Sequence, residues 1–301
     1  MLSYVLVTPA RNEEALIERT LASVVSQTVR PTRWIIVDDG STDRTAAIVG
    51  VYERRYPWIM LVRCPARADR SFASKVEAFN AGYDCLAGIA YDVIGNLDAD
   101  ISFEADYLEF LLSRFERDPG LGVAGTFFVE DGYDSSRDSF EGQTHVAGGC
   151  QLFRRQCFEE VGGFIPHRAG GVDWIAVTTA RMRGWKTLAF REKAFVHHRR
   201  LGTAERGVLA SMFHTGQKDY YLGKHPVMQL PRVLYRMTKS PVVLGGLVLW
   251  AGYAWAWLRR RKRPITDELM DFRRREDLAK LTRIVRFTLQ GRSRDKFYLL
   301  E

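Results

Sequence analysis

The sequence predicts an α/β fold built on a doubly wound, mostly parallel central sheet, over residues 1–225. A basic, membrane-associated helical region over 226–301 is expected to follow it. Three observations carry this reading. Through residue 130, short Val/Ile/Leu-rich runs alternate with helical patterns of ordinary length, the signature of βαβ units. Two of the apolar runs end in acidic clusters, where open α/β sheets place their ligands. The charge is divided along the chain: residues 1–180 hold 17 Lys and Arg against 26 Asp and Glu, and residues 181–301 hold 27 against 10.

The elements follow in order. Residues 4–8 form the first strand. Asn12 is placed to cap a helix whose first turn holds Glu13 and Glu14 and whose apolar stripe is Leu16, Ile17, Leu21 and Val24. Residues 34–37 form a second strand ending in Asp38-Asp39-Gly40-Ser41, with a helix over 43–55. Strand 59–62, helix 72–86 and strand 91–97 come next, the last ending in Asp98-Ala99-Asp100. Helix 105–116 and strand 122–129 follow, then a polar loop over 131–145. Strand 146–153, helix 172–183 and a short apolar run over 195–198 complete the N-terminal part.

The C-terminal part changes character. Residues 241–258 hold no charge and contain three Trp and one Tyr, and Arg259-Arg260-Arg261-Lys262-Arg263 follows directly. Eighteen residues reach about 27 Å as a helix, the lower limit for spanning a bilayer. Basic residues on both flanks leave orientation open and favour an interfacial or re-entrant segment. Residues 265–289 mix Leu269, Phe272, Leu278, Leu281, Ile284, Val285 and Leu289 with many Arg, the pattern of a basic amphipathic surface helix. The basic tail also permits nucleic acid, but a Trp-rich uncharged run is a poor groove or single-strand binder, so no nucleic-acid partner is expected. The four cysteines lack C-x-x-C spacing and read as free thiols in a reducing compartment. The N-terminus runs straight into the first strand, and the N-terminal part is expected at the cytoplasmic face of the cell membrane, attached through the C-terminal region.

Asp98 and Asp100, one residue apart past a strand, suit a divalent cation that neutralises a diphosphate. Asp38 and Asp39 stand where an acid accepts hydrogen bonds from a base or ribose. Either motif alone is common; a solvated turn or a helix cap would explain it. Together, and in order with Thr8-Pro9-Ala10-Arg11-Asn12-Glu13-Glu14, Lys75 and Asn80-Ala81-Gly82, they resemble an inverting family-2 glycosyltransferase of GT-A fold over residues 1–200.

The resemblance implies roles. Pro9, Arg11, Glu13, Asp39 and Lys75 line the nucleotide pocket, with Asp38 a weaker alternative to Asp39. Asp98 and Asp100 flank the diphosphate and its Mg²⁺ or Mn²⁺, and His197 or His198 supplies a further metal ligand. Strand alternation allows at most one of the two histidines to ligate. Gly148 and Gly149 belong to the donor-sugar loop. Asp173 is the candidate general base; where the family places an acidic pair, this chain has Val172 before it. A Q-x-x-R-W motif is absent, which favours addition of a single sugar. The implied reaction moves a sugar from a nucleotide-sugar, UDP-linked in the first instance, to a hydroxyl of a lipid-linked glycan. Transfer to a polyprenyl phosphate, whose anionic oxygen needs no base, is the alternative. A nucleotidyltransferase is disfavoured because no Gly-rich Lys/Arg loop follows the first strand.

Overall fold

A computed structural model describes residues 1–65, 72–136, 142–166, 170–199 and 207–289. Two compact units emerge: the first ends at Arg199, and the second takes the residues after it together with Gly170 and Gly171.

The first unit carries, in order, β1 (Tyr4–Ala10), α1 (Ile17–Val25), β2 (Arg33–Asp38), α2 (Thr45–Arg55), β3 (Ile59–Arg63), α3 (Phe72–Asp84) and β4 (Val93–Leu97). β5 (Ile101–Ser102), α4 (Tyr107–Arg117), β6 (Leu121–Glu130), β7 (Tyr133–Asp134), β8 (Cys150–Arg154), α5 (Arg155–Val161), α6 (Val172–Met182) and β9 (Lys186–His197) follow. One sheet has the order β3-β2-β1-β4-β8-β6-β9-β5, with β7 beside β6. The β3-β2-β1-β4 half is parallel. Beyond β4 the pairing is mixed: β8 is antiparallel to β4 and β6, β6 and β9 are parallel, and β5 is antiparallel to β9. The expectation of a mostly parallel sheet therefore holds for the first half alone.

β1 is buried along its whole length because both faces are covered. Tyr4 and Leu6 join Ile17, Leu21, Leu108 and Phe115 on one side. Val5 and Val7 join Phe79, Phe158 and Val177 on the other. Successive side chains of a strand point to opposite faces, so one apolar run supplies two cores. Gly82 lets α3 lie close to the sheet, since a Cβ there would stand 2.7 Å from Val7 and 2.8 Å from Val37.

Several local expectations change. Asn12 caps no helix; α1 begins at Ile17, after Leu16. Asn12 instead adopts φ 55° and accepts the Thr42 amide at 2.8 Å, tying the loop after β1 to the loop after β2. Asn tolerates this left-handed backbone, and its short side chain makes the tie. The strand read at 195–198 is the end of the longer β9, whose Arg191, Glu192 and Lys193 break the apolar pattern at a register shift. The short β5, β7 and α5 have too few residues to show a period.

The second unit contains α7 (Val208–Tyr221), α8 (Pro226–Met237), α9 (Leu244–Leu258) and α10 (Asp267–Leu289). The division after Arg199 differs from that drawn at 225/226 because α7 packs on α9. A Cβ on Gly216 would lie 1.9 Å from the Leu249 carbonyl oxygen, and one on Gly252 2.0 Å from that of Phe213. Gly245, Gly246, Leu249, Gly252, Tyr253 and Ala256 form the buried stripe of α9. Its other side exposes Leu244, Leu247, Trp250, Trp255, Trp257 and Leu258.

Among the described residues, no helix is long and apolar enough to cross a membrane. α9 uses 15 residues of the uncharged stretch, about 22 Å of helix. In α10 the inward positions include charge: Arg273 and Asp277 are buried with Leu269, while Leu278 is 42% exposed. The side chains of Ile284, Val285 and Leu289 lie outside the described set.

Candidate active site

The carboxyl ends of β1, β2 and β4 lie side by side, because β2 and β4 flank β1 in parallel. The chain order also reverses here: β2 and β3 lie to one side of β1 and β4 to the other, the switch point at which such sheets bind ligands.

At the end of β1, Pro9 is buried and pairs with Val37. Arg11 directs Nη1 to Asp39 Oδ2 at 4.0 Å. The Glu13 amide donates to Thr45 Oγ1 at 2.7 Å, and the Glu13 carbonyl accepts from Leu16 and Ile17. Its carboxylate thus leaves from a fixed backbone. At the end of β2 the two neighbouring acids separate in use. Asp38 accepts the Ser41 amide at 2.9 Å and closes its own turn. Asp39, whose amide is tied to the Ala10 carbonyl, directs its carboxylate toward Arg11.

Past β4, Asp98, Asp100 and His197 each offer a ligand atom, all within 4.8 Å of one another. Asp100 Oδ1 lies 3.5 Å from His197 Nε2. His197 Nδ1 meets the carbonyl of Arg199. A carbonyl only accepts, so Nδ1 donates there, and Nε2 is the ring nitrogen that faces Asp100. Two carboxylates and an imidazole nitrogen form a donor set that suits Mn²⁺ or Mg²⁺, and the residues fit such an ion.

His198 is occupied elsewhere. Its Nδ1 accepts from Arg19 at 3.0 Å, which leaves the proton on Nε2, 2.7 Å from Ser102 Oγ. Burial and the nearby Arg19 guanidinium hold it below the usual histidine value. Of the two sequence candidates, His197 joins the aspartates and His198 does not.

Lys75, on α3, donates to Asp98 Oδ1 at 2.5 Å. Loss of water works against its ammonium form. The attraction of Asp98, with Asp100 and Asp173 adding to it, nonetheless holds Lys75 above its ordinary value. For Asp98, desolvation outweighs the pull of Lys75 and pushes the carboxyl up. The cluster is acidic beyond what Lys75 neutralises.

The Gly148-Gly149 loop is bound to the same edge. The Gly148 carbonyl accepts from Asn96 Nδ2 at 2.8 Å, and the Gly149 carbonyl accepts the Asp98 amide at 2.9 Å. A Cβ on Gly149 would press on Phe195 at 2.9 Å; one on Gly148 would stand 2.9 Å from Asp173 Oδ2. Asp173 is in the first turn of α6. The helix places the carboxylate against the glycine loop, in a half-buried position.

Two participants escaped the sequence reading. Asn96 anchors the glycine loop from inside β4. Arg199 sets Nη2 2.5 Å from Glu13 Oε2 and Nε 3.7 Å from Asp100 Oδ2. Its position directly after His197-His198 was the available signal.

A 32% identical stretch of 181 residues is shared with the beta-monoglucosyldiacylglycerol synthase of Synechocystis, covering 53% of this chain and 36% of that protein. The poly-beta-1,6-N-acetyl-D-glucosamine synthase of Staphylococcus aureus is 30% identical over 112 residues, 37% of this chain and 25% of that one. The chain thus spans about a third or less of these curated relatives. In fold it is similar to the mannosyltransferase PcManGT of Pyrobaculum calidifontis, solved with GDP-Man and Mn²⁺. The TM-score is 0.56 at 18% identity, with 93% of this chain and 75% of that one covered. It is also similar to S. aureus TarS 1–349 in complex with UDP-GlcNAc, with a TM-score of 0.54 at 14% identity over 84% and 72% of the two chains. Both likenesses identify a GT-A-like α/β fold. Glycosyl transferase family 2 matches residues 5–170, more than half of the chain, and the protein belongs to that family.

Proposed function

We propose that this protein is an inverting glycosyltransferase. It moves one sugar from a nucleotide-sugar, in the first instance a UDP-sugar, to a hydroxyl of a lipid-linked glycan. The observation that carries the proposal is the convergence on one sheet edge of Asp98, Asp100 and His197 with the Gly148 loop and Asp173.

Arg11, Glu13 and Asp39 supply the nucleotide pocket at the ends of β1 and β2. Asp98, Asp100 and His197 would hold Mg²⁺ or Mn²⁺, which supplies charge neutralisation for the departing diphosphate. Asp173 takes the proton of the acceptor hydroxyl. The freed oxygen forms its bond to the anomeric carbon from the face opposite the diphosphate. The old C–O bond breaks, its electron pair leaves with the nucleotide, and the centre inverts. Asp173 suits this task because its carboxylate borders the glycine loop. A phosphate acceptor would need no such base, so this carboxylate favours the hydroxyl.

The second unit supports an interfacial rather than a spanning attachment. Leu230 and Leu234 on α8, with Leu247, Trp250 and Trp257 on α9, are exposed apolar side chains. Exposed Arg259, Arg260, Arg261 and Lys262 follow. Trp at an interface and Lys/Arg beside anionic lipid both favour a cytoplasmic membrane surface.

A transfer and hydrolysis screen over UDP-, GDP- and dTDP-sugars, with Mn²⁺ and with excess chelator, tests the reading. Donor turnover that chelator abolishes is expected. Failure to turn over any donor, or full activity in chelator, would overturn it.

A further inference from the structure

We infer that Arg199 is a resident cation of the Asp98–Asp100–His197 site: its guanidinium holds the acidic cluster together before a metal arrives and must leave when the metal enters. The inference rests on the proposed metal-binding reading and assigns a residue which that reading does not use.

The geometry is specific. Asp100 divides its two oxygens. Oδ1 faces His197 Nε2, and Oδ2 faces the Arg199 guanidinium. The same guanidinium closes on Glu13 through Nη2 at 2.5 Å. One planar cation therefore bridges a member of the ligand trio and the carboxylate at the end of the β1 loop. The backbone of Arg199 is engaged as well, since its carbonyl accepts the His197 Nδ1 proton. Side chain and backbone of one residue thus set the orientation of two of the three candidate ligands.

The charge balance explains why such a residue is placed here. Glu13 and Asp100 are buried and Asp98 is half-buried, and His197 Nδ1 also lies 3.8 Å from Glu130 Oε2. Lys75 is committed to Asp98. Carboxylates packed this closely repel one another, and a second cation relieves them. A divalent ion among the trio would have the Arg199 guanidinium within a few ångströms, and like charges repel strongly where water is scarce. The guanidinium and the ion therefore compete for Asp100. The Arg199 side chain remains about one-third exposed, with solvent on its open side. A nucleoside diphosphate arriving with the ion offers it a new anionic partner, to which a guanidinium is well matched. Exchange of Glu13 and Asp100 for diphosphate would couple metal entry to donor entry.

The test is Mn²⁺ binding without nucleotide, followed by the electron paramagnetic resonance of free Mn²⁺. Arg199→Gln and Arg199→Ala each remove the competing charge and should bind Mn²⁺ about tenfold more tightly than wild type, roughly 1.4 kcal/mol. Arg199→Lys keeps the charge and should stay close to wild type. The nucleoside diphosphate arm runs the other way: UDP or GDP, whichever the wild type binds, should bind the two neutral variants more weakly. A purely structural role would instead weaken Mn²⁺ and nucleotide together. A measurement on wild type needs no substitution: on addition of Mg²⁺, the ¹⁵Nε resonance of Arg199, identified by its loss in Arg199→Lys, should shift. Unchanged or weaker Mn²⁺ binding in the neutral variants, or an immobile Arg199 resonance on saturation with Mg²⁺, would overturn the inference. If wild type itself binds no Mn²⁺, the metal-binding reading fails with it, and the two failures are distinct.

Discussion

His197 and His198 are adjacent in sequence, yet their chemistry diverges because a strand end sends consecutive side chains in opposite directions. The Arg199 carbonyl accepts from His197 Nδ1, and Nε2 faces Asp100. Arg19 and Ser102 use both nitrogens of His198. His197→Gln should weaken Mn²⁺ binding by about tenfold or more, as loss of an orienting or ligating group does, while His198→Gln should leave it nearly unchanged. Isothermal titration of each variant decides between them; equal losses would remove the distinction. Asp173 gives a second test at this scale. Asp173→Asn keeps the size and hydrogen-bonding capacity of the side chain but cannot take a proton. Its transfer rate should fall by about 100-fold or more, with nucleotide affinity and thermal stability near wild type. Turnover within a few-fold of wild type would exclude the base role and return attention to a phosphate acceptor.

The elements are held by contacts that leave little room. α7 and α9 meet where Gly216 and Gly252 bring backbone against backbone. Gly252→Ala would place a methyl 2.0 Å from the Phe213 carbonyl, so the helices must separate. We expect a loss of about 1–3 kcal/mol in the second unit, the usual cost of overpacking, read as a lower thermal midpoint of that unit. An unchanged midpoint would mean that α7 and α9 do not pack through these glycines. The loops after β1 and β2 are legible only in part. Glu13 and Asp39 stand out as acids at strand ends, but the link between their loops is Asn12 with the Thr42 amide, a tie between residues 30 positions apart. A cap, by contrast, is local, which is why the sequence reading assigned Asn12 to one.

For the whole molecule, thiol chemistry reports on the packing of the cores. Burial pushes the Cys150 and Cys157 thiols up to about 12, so at pH 8 neither is a thiolate. Cys85 is exposed. A thiol-disulfide reagent at pH 8 should label Cys85 first and leave Cys150 and Cys157 unmodified until denaturant is added; fast labelling of all four cysteines in native buffer would contradict the packed sheet. The division of charge between the two ends supplies a further test. Joint replacement Arg259→Ser, Arg260→Ser and Arg261→Ser should reduce partitioning onto anionic vesicles, by about 1 kcal/mol for each charge removed. Co-sedimentation at low salt measures it, and unaltered binding would exclude the basic cluster as an anchor.

The sequence by itself determined the α/β class, the approximate positions of the parallel β1–β4 strands and the acids at their ends. These follow from local periodicity and strand-end placement, which need no partner to be read. It also marked the one-sided charge and the Trp-rich segment. Tertiary structure alone decided four things. Pairing of β8, β6, β9 and β5 made the sheet mixed, because strand direction depends on which neighbour is met. Asp38 closed its own turn while Asp39 faced Arg11. His197 rather than His198 joined Asp98 and Asp100. Arg199 reached back 186 positions to Glu13. Each of these depends on which groups are brought within hydrogen-bonding distance across long stretches of chain, and pattern along the sequence carries no such distance.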